Sequence, residues 1–403
     1  MNAMNDRSIP LDVAAAEKHL MDFLSVEGIT GEEANIAAAV SKALIAAGVP
    51  ADAIRFDDAN KRIPLPTQTG NLIVDLPGTR PGPRLLFSTH LDTVPLCAGA
   101  KPRREGDRIV SDGTTALGGD ARTGVAALVV VAETLLKHGL PHPPITLLFT
   151  VREESGLHGA RELDPAQLGG AVMCVNIDGQ ASSDLIVGAV GQENWEVEIT
   201  GKASHAGVAP EKGISATLVG AIGLTRAREE GWFGKVVKPD GRGTSNVGIF
   251  GGRDGGPAGD ATNVVTDYAF IKGEARSPEA SFAVRIADGF GRAFEQARTE
   301  VPDDQGGTAE VRFTRKTSYP PFELTQESPV VMRVARAMKQ LGITPNYQFS
   351  NGGLDANWLD KHGIPTVTIG AGQAEIHTIK EYVNLPEFEK GCRLAILAAT
   401  IED

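Results

Sequence analysis

Apolar and polar positions follow two rhythms along this chain. Residues 11–48 carry helical apolar spacing that stops at Gly48. Asn71–Leu76 and Leu85–Thr89 are short apolar runs of strand character. Thr123–His138 is spaced as a buried helix closed by Gly139 and Pro141. Ile145–Val151 and Val172–Ile177 are nearly continuous apolar runs rich in β-branched residues, the pattern of strands covered on both faces. Such alternation predicts an α/β domain whose mostly parallel sheet is covered by helices.

Near residue 192 the pattern changes. Trp195–Thr200 alternates as a half-exposed strand, Ile214–Glu230 reads as a helix, Ser245–Phe250 and Val264–Glu274 as strands, Glu279–Val301 as a helix and Ala309–Thr317 as a strand. This β-α-β-β-α-β order is the ferredoxin-like pattern, with the glycine-rich stretch 251–259 joining its middle strands. The α/β rhythm then returns in the helix Ser328–Leu341, the strand Thr366–Ile369 and the closing helix Pro386–Ile401. The expected organisation is a discontinuous domain of residues 1–191 and 319–403, with residues 192–318 inserted into it.

Composition narrows the functional classes. A chain of 403 residues with 41% apolar and 22% charged residues is ordinary for a globular protein of more than one core. The formal charge of −12 argues against nucleic acid or an anionic membrane as the main partner. No apolar run approaches the ~20 residues of a membrane span. The first dozen residues lack the apolar core of a signal peptide, so a cytoplasmic location is expected. Cys97, Cys174 and Cys392 are far apart and odd in number, which suits reduced thiols.

Candidate chemistry gathers at the ends of the predicted strands. His90 and Asp92 follow the Leu85–Thr89 run, and Leu117–Asp120 leads into the helix from Thr123. Glu153 and Glu154 follow Ile145–Val151, Asp178 follows Val172–Ile177, and Glu375–His377 follows Thr366–Ile369 across a glycine-rich turn. Ligands of open α/β sheets bind beyond the carboxyl ends of the strands, so these clusters converge on one crevice. Crowded carboxylates repel unless a cation neutralises them. Imidazole with carboxylate suits zinc, with manganese or cobalt as substitutes. Two histidines and three or four carboxylates exceed one tetrahedral site. They fit two metals about 3.5–4 Å apart sharing one carboxylate, with another left as general base.

In order along the chain, Ser-Thr-His-Leu-Asp-Thr-Val (88–94), Leu-Gly-Gly-Asp (117–120), Thr-Val-Arg-Glu-Glu-Ser-Gly (150–156), Asn-Ile-Asp-Gly (176–179) and Glu-Ile-His-Thr (375–378) resemble the dinuclear zinc exopeptidases that include peptidase T, carboxypeptidase G and the aminoacylases. The likeness covers nearly the whole chain and is greatest to peptidase T-like proteins. It implies that His90 and Asp178 hold one zinc, that Glu154 and His377 hold the other, and that Asp120 bridges them. It further implies that Glu153 moves the proton of a water bridging the zinc ions, that Asp92 orients the His90 ring, and that the Asp120–Ala121 peptide is cis. In Gly201–Gly207, His205 matches a family histidine that stabilises the oxyanion. Asn263 and Arg276 match substrate contacts in the inserted lid, through which the family forms homodimers. Gly352 and Gly353 match a substrate loop, followed here by Leu354-Asp355-Ala356 where peptidase T usually has Thr-Asp-Gly. The tyrosine-rich stretch usual before the final histidine is replaced by Gly370–Ala374.

The expected activity is metal-dependent hydrolysis of short peptides, as in a peptidase T-like tripeptide aminopeptidase. A carboxypeptidase or an N-acyl-amino-acid amidohydrolase of the same family is the near alternative. A non-catalytic binding protein on this fold would call for loss of Glu153 or of a metal ligand, and all are in place. No Gly-x-Gly-x-x-Gly fingerprint or P-loop points to another cofactor.

Overall fold

A computed structural model describes residues 9–259 and 261–402. Residues 1–8, most of the N-terminal stretch that lacks a signal peptide's apolar core, lie outside them. The chain divides into two compact units, residues 1–189 with 323–403, and residues 190–322.

The first unit is built on a nine-stranded sheet. Its centre is parallel: Leu85–His90 lies between Ile145–Thr150 and Met173–Gly179, and Thr366–Gly370 pairs with Met173–Gly179 on the far side. Their carboxyl ends therefore emerge on one side. The flanks are mixed, because Leu72–Leu76 pairs antiparallel with Ile145–Thr150, and Asp184–Ala189 pairs antiparallel with Thr366–Gly370. All six residues of Leu85–His90 and of Ile145–Thr150 are buried, which explains why Leu85–Phe87 and Leu147–Phe149 stand as consecutive apolar residues without alternation.

The helix Gly119–His138 is buried along most of its length and packs on this sheet. Close approach depends on Gly124, where a Cβ would lie 2.2 Å from both the Ile177 carbonyl oxygen and Thr89 Oγ1. The helix ends in a left-handed Gly139, as its sequence predicts. The helical spacing of residues 11–48 becomes two helices, Val13–Leu24 and Ala34–Ala46. The intervening segment is drawn onto the loop beyond His90, where Thr30 N–H donates to the Thr93 carbonyl at 2.9 Å and Thr93 N–H to that of Gly28 at 3.1 Å.

The second unit is a five-stranded antiparallel sheet with the helices Ala216–Glu229 and Ala280–Ala297. Its spatial order is Gly234–Lys238, Gly241–Gly251, Tyr268–Ser277, Gly191–Thr200, Glu310–Tyr319. Without the first of these, it is the ferredoxin-like arrangement that the sequence predicts. The extra edge strand, Gly234–Lys238, is too short and too polar to announce itself by periodicity. Trp195 stacks on Phe290 at 4.5 Å in this unit's own core. The strand expected over Val264–Glu274 begins instead at Tyr268, because Val264 and Val265 pair with the backbone of Ser204 and His205.

Candidate metal centre and active site

His90 is the last residue of its strand and is 2% exposed. Its Nδ1 lies 2.9 Å from the Asp92 carbonyl oxygen, and its Nε2 lies 3.2 Å from Asp120 Oδ1 and 3.5 Å from Asp178 Oδ1. His377 arrives from the far end of the chain. Its Nε2 lies 3.0 Å from the Glu154 carboxylate and 3.3 Å from Asp120 Oδ2. The two oxygens of Asp120 therefore face two different histidines. Ligand atoms of His90, Asp120 and Glu154 lie within 4.8 Å of one another, a group able to hold a metal ion.

Local backbone geometry aims these side chains. Asp120 stands where the Gly119–His138 helix begins irregularly, and the Asp120–Ala121 peptide is cis. Arg152 and Leu157 bracket the paired glutamates at φ 52° and 57°, while Glu375 and His377 take φ 54° and 61°. Such left-handed conformations are unfavourable for residues other than glycine and collect at functional sites. Asp92 is fully buried. Its Oδ1 accepts the main-chain N–H of Glu153 at 3.0 Å, and its Oδ2 accepts that of Glu154 at 3.1 Å.

Electrostatics mark the cluster as an excess of acid in a dry place. Burial pushes Asp178 up to about 7, with the Asp120 charge adding to it. Burial, reinforced by Asp178, Asp355 and Glu154, lifts Glu153 well above the carboxylate range. Burial disfavours charge on His90, yet Asp178 and Asp120 raise its pKa well above the usual value. Hydrogen bonds with Asp120 and Glu154 push His377 up to about 10. Asp120, although buried, is held well below its usual range by His377 and His90.

Three further residues brace the cluster although the sequence assigned them no role. Glu381 accepts main-chain N–H groups from the loop before Asp120. Gln373 reaches Asp178 Oδ1 through Nε2 at 3.4 Å and accepts from Thr123 at 3.2 Å. Asp355, just beyond Gly352 and Gly353, is buried and accepts a short hydrogen bond from Thr150 at the end of its strand. Nothing in periodicity or residue type separates Glu381 from a solvated glutamate beside Lys380.

The remaining candidates belong to the second unit. His205 is exposed, and its Nδ1 accepts from Gly207 N–H at 3.1 Å. Asn263 is brought beside it by the hydrogen bond from Ala206 N–H to the Asn263 carbonyl at 2.9 Å. Arg276 is engaged by Glu274 through Nε and Nη2, both at 2.9 Å, and Gln192 Nε2 also donates to Glu274 at 2.9 Å.

The sequence matches the description "Peptidase family M20/M25/M40" over residues 86–402. The chain belongs to this family. This M20 peptidase is 35% identical over 335 residues to the uncharacterized protein YqjE of Bacillus subtilis (strain 168), covering 83% of this chain and 84% of that protein. It is 27% identical over 303 residues to peptidase T of Clostridium perfringens (strain SM101 / Type A), covering 72% of this chain and 66% of that one. Among solved structures, aminopeptidase PepT from Bacillus cereus ATCC 10987 matches with a TM-score of 0.83 and 33% identity, over 97% of this chain and 98% of that chain. A tripeptidase from Staphylococcus aureus subsp. aureus Mu50 matches with a TM-score of 0.86 and 28% identity, over the same shares of 97% and 98%. This M20 peptidase is thus a peptidase T-like hydrolase acting on peptide bonds. Among the described residues, none of its helices is long and apolar enough to cross a membrane.

Proposed function

We propose that this M20 peptidase is a two-zinc exopeptidase that removes the N-terminal residue of tripeptides and other short peptides. The observation that carries the reading is the division of the Asp120 carboxylate between His90 and His377. The donor set fits a pair of zinc ions. His90 has its Nδ1 beside the Asp92 carbonyl, which favours the tautomer with its proton there and turns the Nε2 lone pair toward Asp120 and Asp178. Buried carboxylates outnumber imidazoles, so cations relieve a charge that proteins rarely leave unpaired. We assign His90 and Asp178 to one ion, Glu154 and His377 to the other, and Asp120 to both. A Bacillus subtilis protein of the same fold (TM-score 0.70, 16% identity) is described as a dinuclear metal-binding peptidase of this family.

Bound zinc would supply Lewis acidity toward the scissile carbonyl and lower the pKa of the attacking water. Glu153 takes the proton of that water as its oxygen bonds to the carbonyl carbon, then gives it to the amine as the C–N bond breaks. Asp92 holds the main chain of Glu153 in place meanwhile. The reading gives His205 the developing oxyanion and gives Asn263, Arg276, Gly352 and Gly353 the substrate. Free, buried thiols at Cys97, Cys174 and Cys392 suit a reducing compartment, in keeping with a cytoplasmic enzyme. Homodimerisation through the second unit belongs to the same reading, and its edge hairpin carries exposed Val237, Ile249 and Phe250.

The test is a panel of tripeptides with three different residues, free or N-acetylated, incubated with zinc-reconstituted enzyme and resolved by mass spectrometry. Release of the N-terminal residue from free peptides alone is expected. Release of the C-terminal residue would assign a carboxypeptidase, and cleavage of the acetyl amide an acylase.

A further inference from the structure

One carboxylate joins two ligand-bearing loops, with 261 to 264 residues of sequence between the groups it links. Glu381 is 2% exposed. Its Oε2 accepts the main-chain N–H of Leu117 at 2.8 Å and of Gly118 at 2.8 Å, and its Oε1 accepts that of Asp120 at 3.1 Å. Between these donors a Cβ at Gly119 would stand 3.3 Å from Glu381 Oε1 and 2.9 Å from Val383 Cγ2, so the loop is drawn tightly against the carboxylate. Glu381 also closes the turn that carries His377. Its own N–H donates to the Thr378 carbonyl at 3.1 Å, and Thr378 Oγ1 donates to the Glu375 carbonyl at 2.7 Å. The strand Tyr382–Asn384 that follows is anchored by antiparallel pairing with Arg108–Val110.

We infer that Glu381 is a positioning residue that sets the distance and aim between Asp120 and His377, and so tunes the affinity of the metal centre. The physical reason is the acceptor count. A carboxylate offers lone pairs on both oxygens, enough for three converging N–H donors, and the charge shortens and strengthens each bond. A glutamine of the same shape presents an N–H₂ group toward at least one of the three, leaving a buried main-chain donor without an acceptor. The Asp120 loop then relaxes away from the His377 turn. Residues of this kind behind metal ligands change affinity by roughly 10–100-fold.

This inference rests on the metal assignment above, and the experiment separates the two. Full-length wild type, Glu381→Gln and Glu381→Asp are stripped with chelator. Each is then titrated with zinc against a chromophoric competitor, and with cobalt while its visible absorption is followed. Hydrogen exchange of the Leu117, Gly118 and Asp120 amides is read on the same stripped samples. The expected result is two bound ions in the wild type, roughly 10–100-fold weaker binding of at least one ion in Glu381→Gln, an altered cobalt spectrum, and faster exchange at those amides. A purely structural role would lower melting temperature but leave affinity and spectrum alone. Binding of both ions within twofold of wild type with an unchanged spectrum overturns the inference. If Glu381→Gln does not fold, Glu381→Asp, which keeps the charge but shortens the reach, is judged by the same criterion. A wild type that binds no zinc overturns the metal assignment itself, and this inference with it.

Discussion

Asp92 accepts the main-chain N–H of Glu153 through one carboxylate oxygen and that of Glu154 through the other, at 3.0 and 3.1 Å. The aspartate that the sequence suggested as a partner of the His90 ring thus also holds the backbone that presents the paired glutamates. Its carboxylate is 3.5 Å from His90 Nδ1, farther than its own carbonyl oxygen at 2.9 Å. Asp92→Asn should leave the His90 contact to the carbonyl intact while one of the two glutamate amides loses its acceptor. The expected outcome is a kcat reduced roughly 10–100-fold with KM little changed, measured by steady-state peptide hydrolysis. A change confined to KM would mean that Asp92 acts on substrate binding.

Glu153 is buried, and burial raises its proton affinity. Glu153→Gln keeps shape and bulk but removes the proton acceptor. Metal content by elemental analysis should match the wild type, while kcat falls by roughly 10²–10⁴. Retention of most activity would transfer the general-base role elsewhere.

His377 is 47% exposed at its side chain, and its Nε2 faces Glu154 and Asp120. His377→Ala should lower zinc occupancy from about two equivalents toward one while His90 and Asp178 keep theirs. Chelation of the wild type should lower its melting temperature, because an ion bound only by the folded state stabilises it by about 2.7 kcal/mol at one hundred times its Kd. Calorimetry with and without zinc gives the shift.

Glu33 supplies a pH-dependent stability term. It is buried, its Oε1 accepts N–H from Gly31 at 2.6 Å and from Arg152 at 3.1 Å, and its Oε2 has no hydrogen-bond partner. Burial, with the Asp92 charge, pushes its pKa from 4.5 up to about 7. The folded state therefore binds the Glu33 proton more tightly than the unfolded state. Stability is greatest below pH 4.5 as far as this group is concerned, and it falls as pH rises through about 7. Glu33→Gln mimics the protonated form. It should become progressively more stable than wild type between pH 5 and 8, by up to about 3 kcal/mol, as read from urea unfolding at several pH values. A pH-independent difference would refute the assignment.

Gly124→Ala should destabilise the first unit by about 3 kcal/mol, because the new methyl meets the Ile177 carbonyl and Thr89 Oγ1 at 2.2 Å. Since Asp120 stands at the irregular start of the same helix, metal affinity should fall along with the unfolding midpoint in denaturant.

Much of this protein was legible in its residues alone. Strands buried on both faces place apolar residues side by side, so Leu85–His90, Ile145–Thr150 and Met173–Gly179 stood out, and with them the polar clusters at their ends. The closing Gly139 and the alternation of Trp195–Thr200 were local signals of the same kind. The cis peptide after Asp120, expected from family resemblance, is present. What only tertiary structure decided are relations between residues far apart in sequence. Glu381 beneath the Asp120 loop, Asp92 under the glutamate amides and Gln373 against Asp178 are hydrogen bonds to main chain or to distant side chains. Such bonds leave no period in the sequence, because they depend on which loops the folded sheet brings together. The edge strand Gly234–Lys238 was hidden because its own run is too short and too polar to declare a strand, and Val264, read as the start of the strand that begins at Tyr268, instead pairs with His205, a neighbour that only the fold supplies.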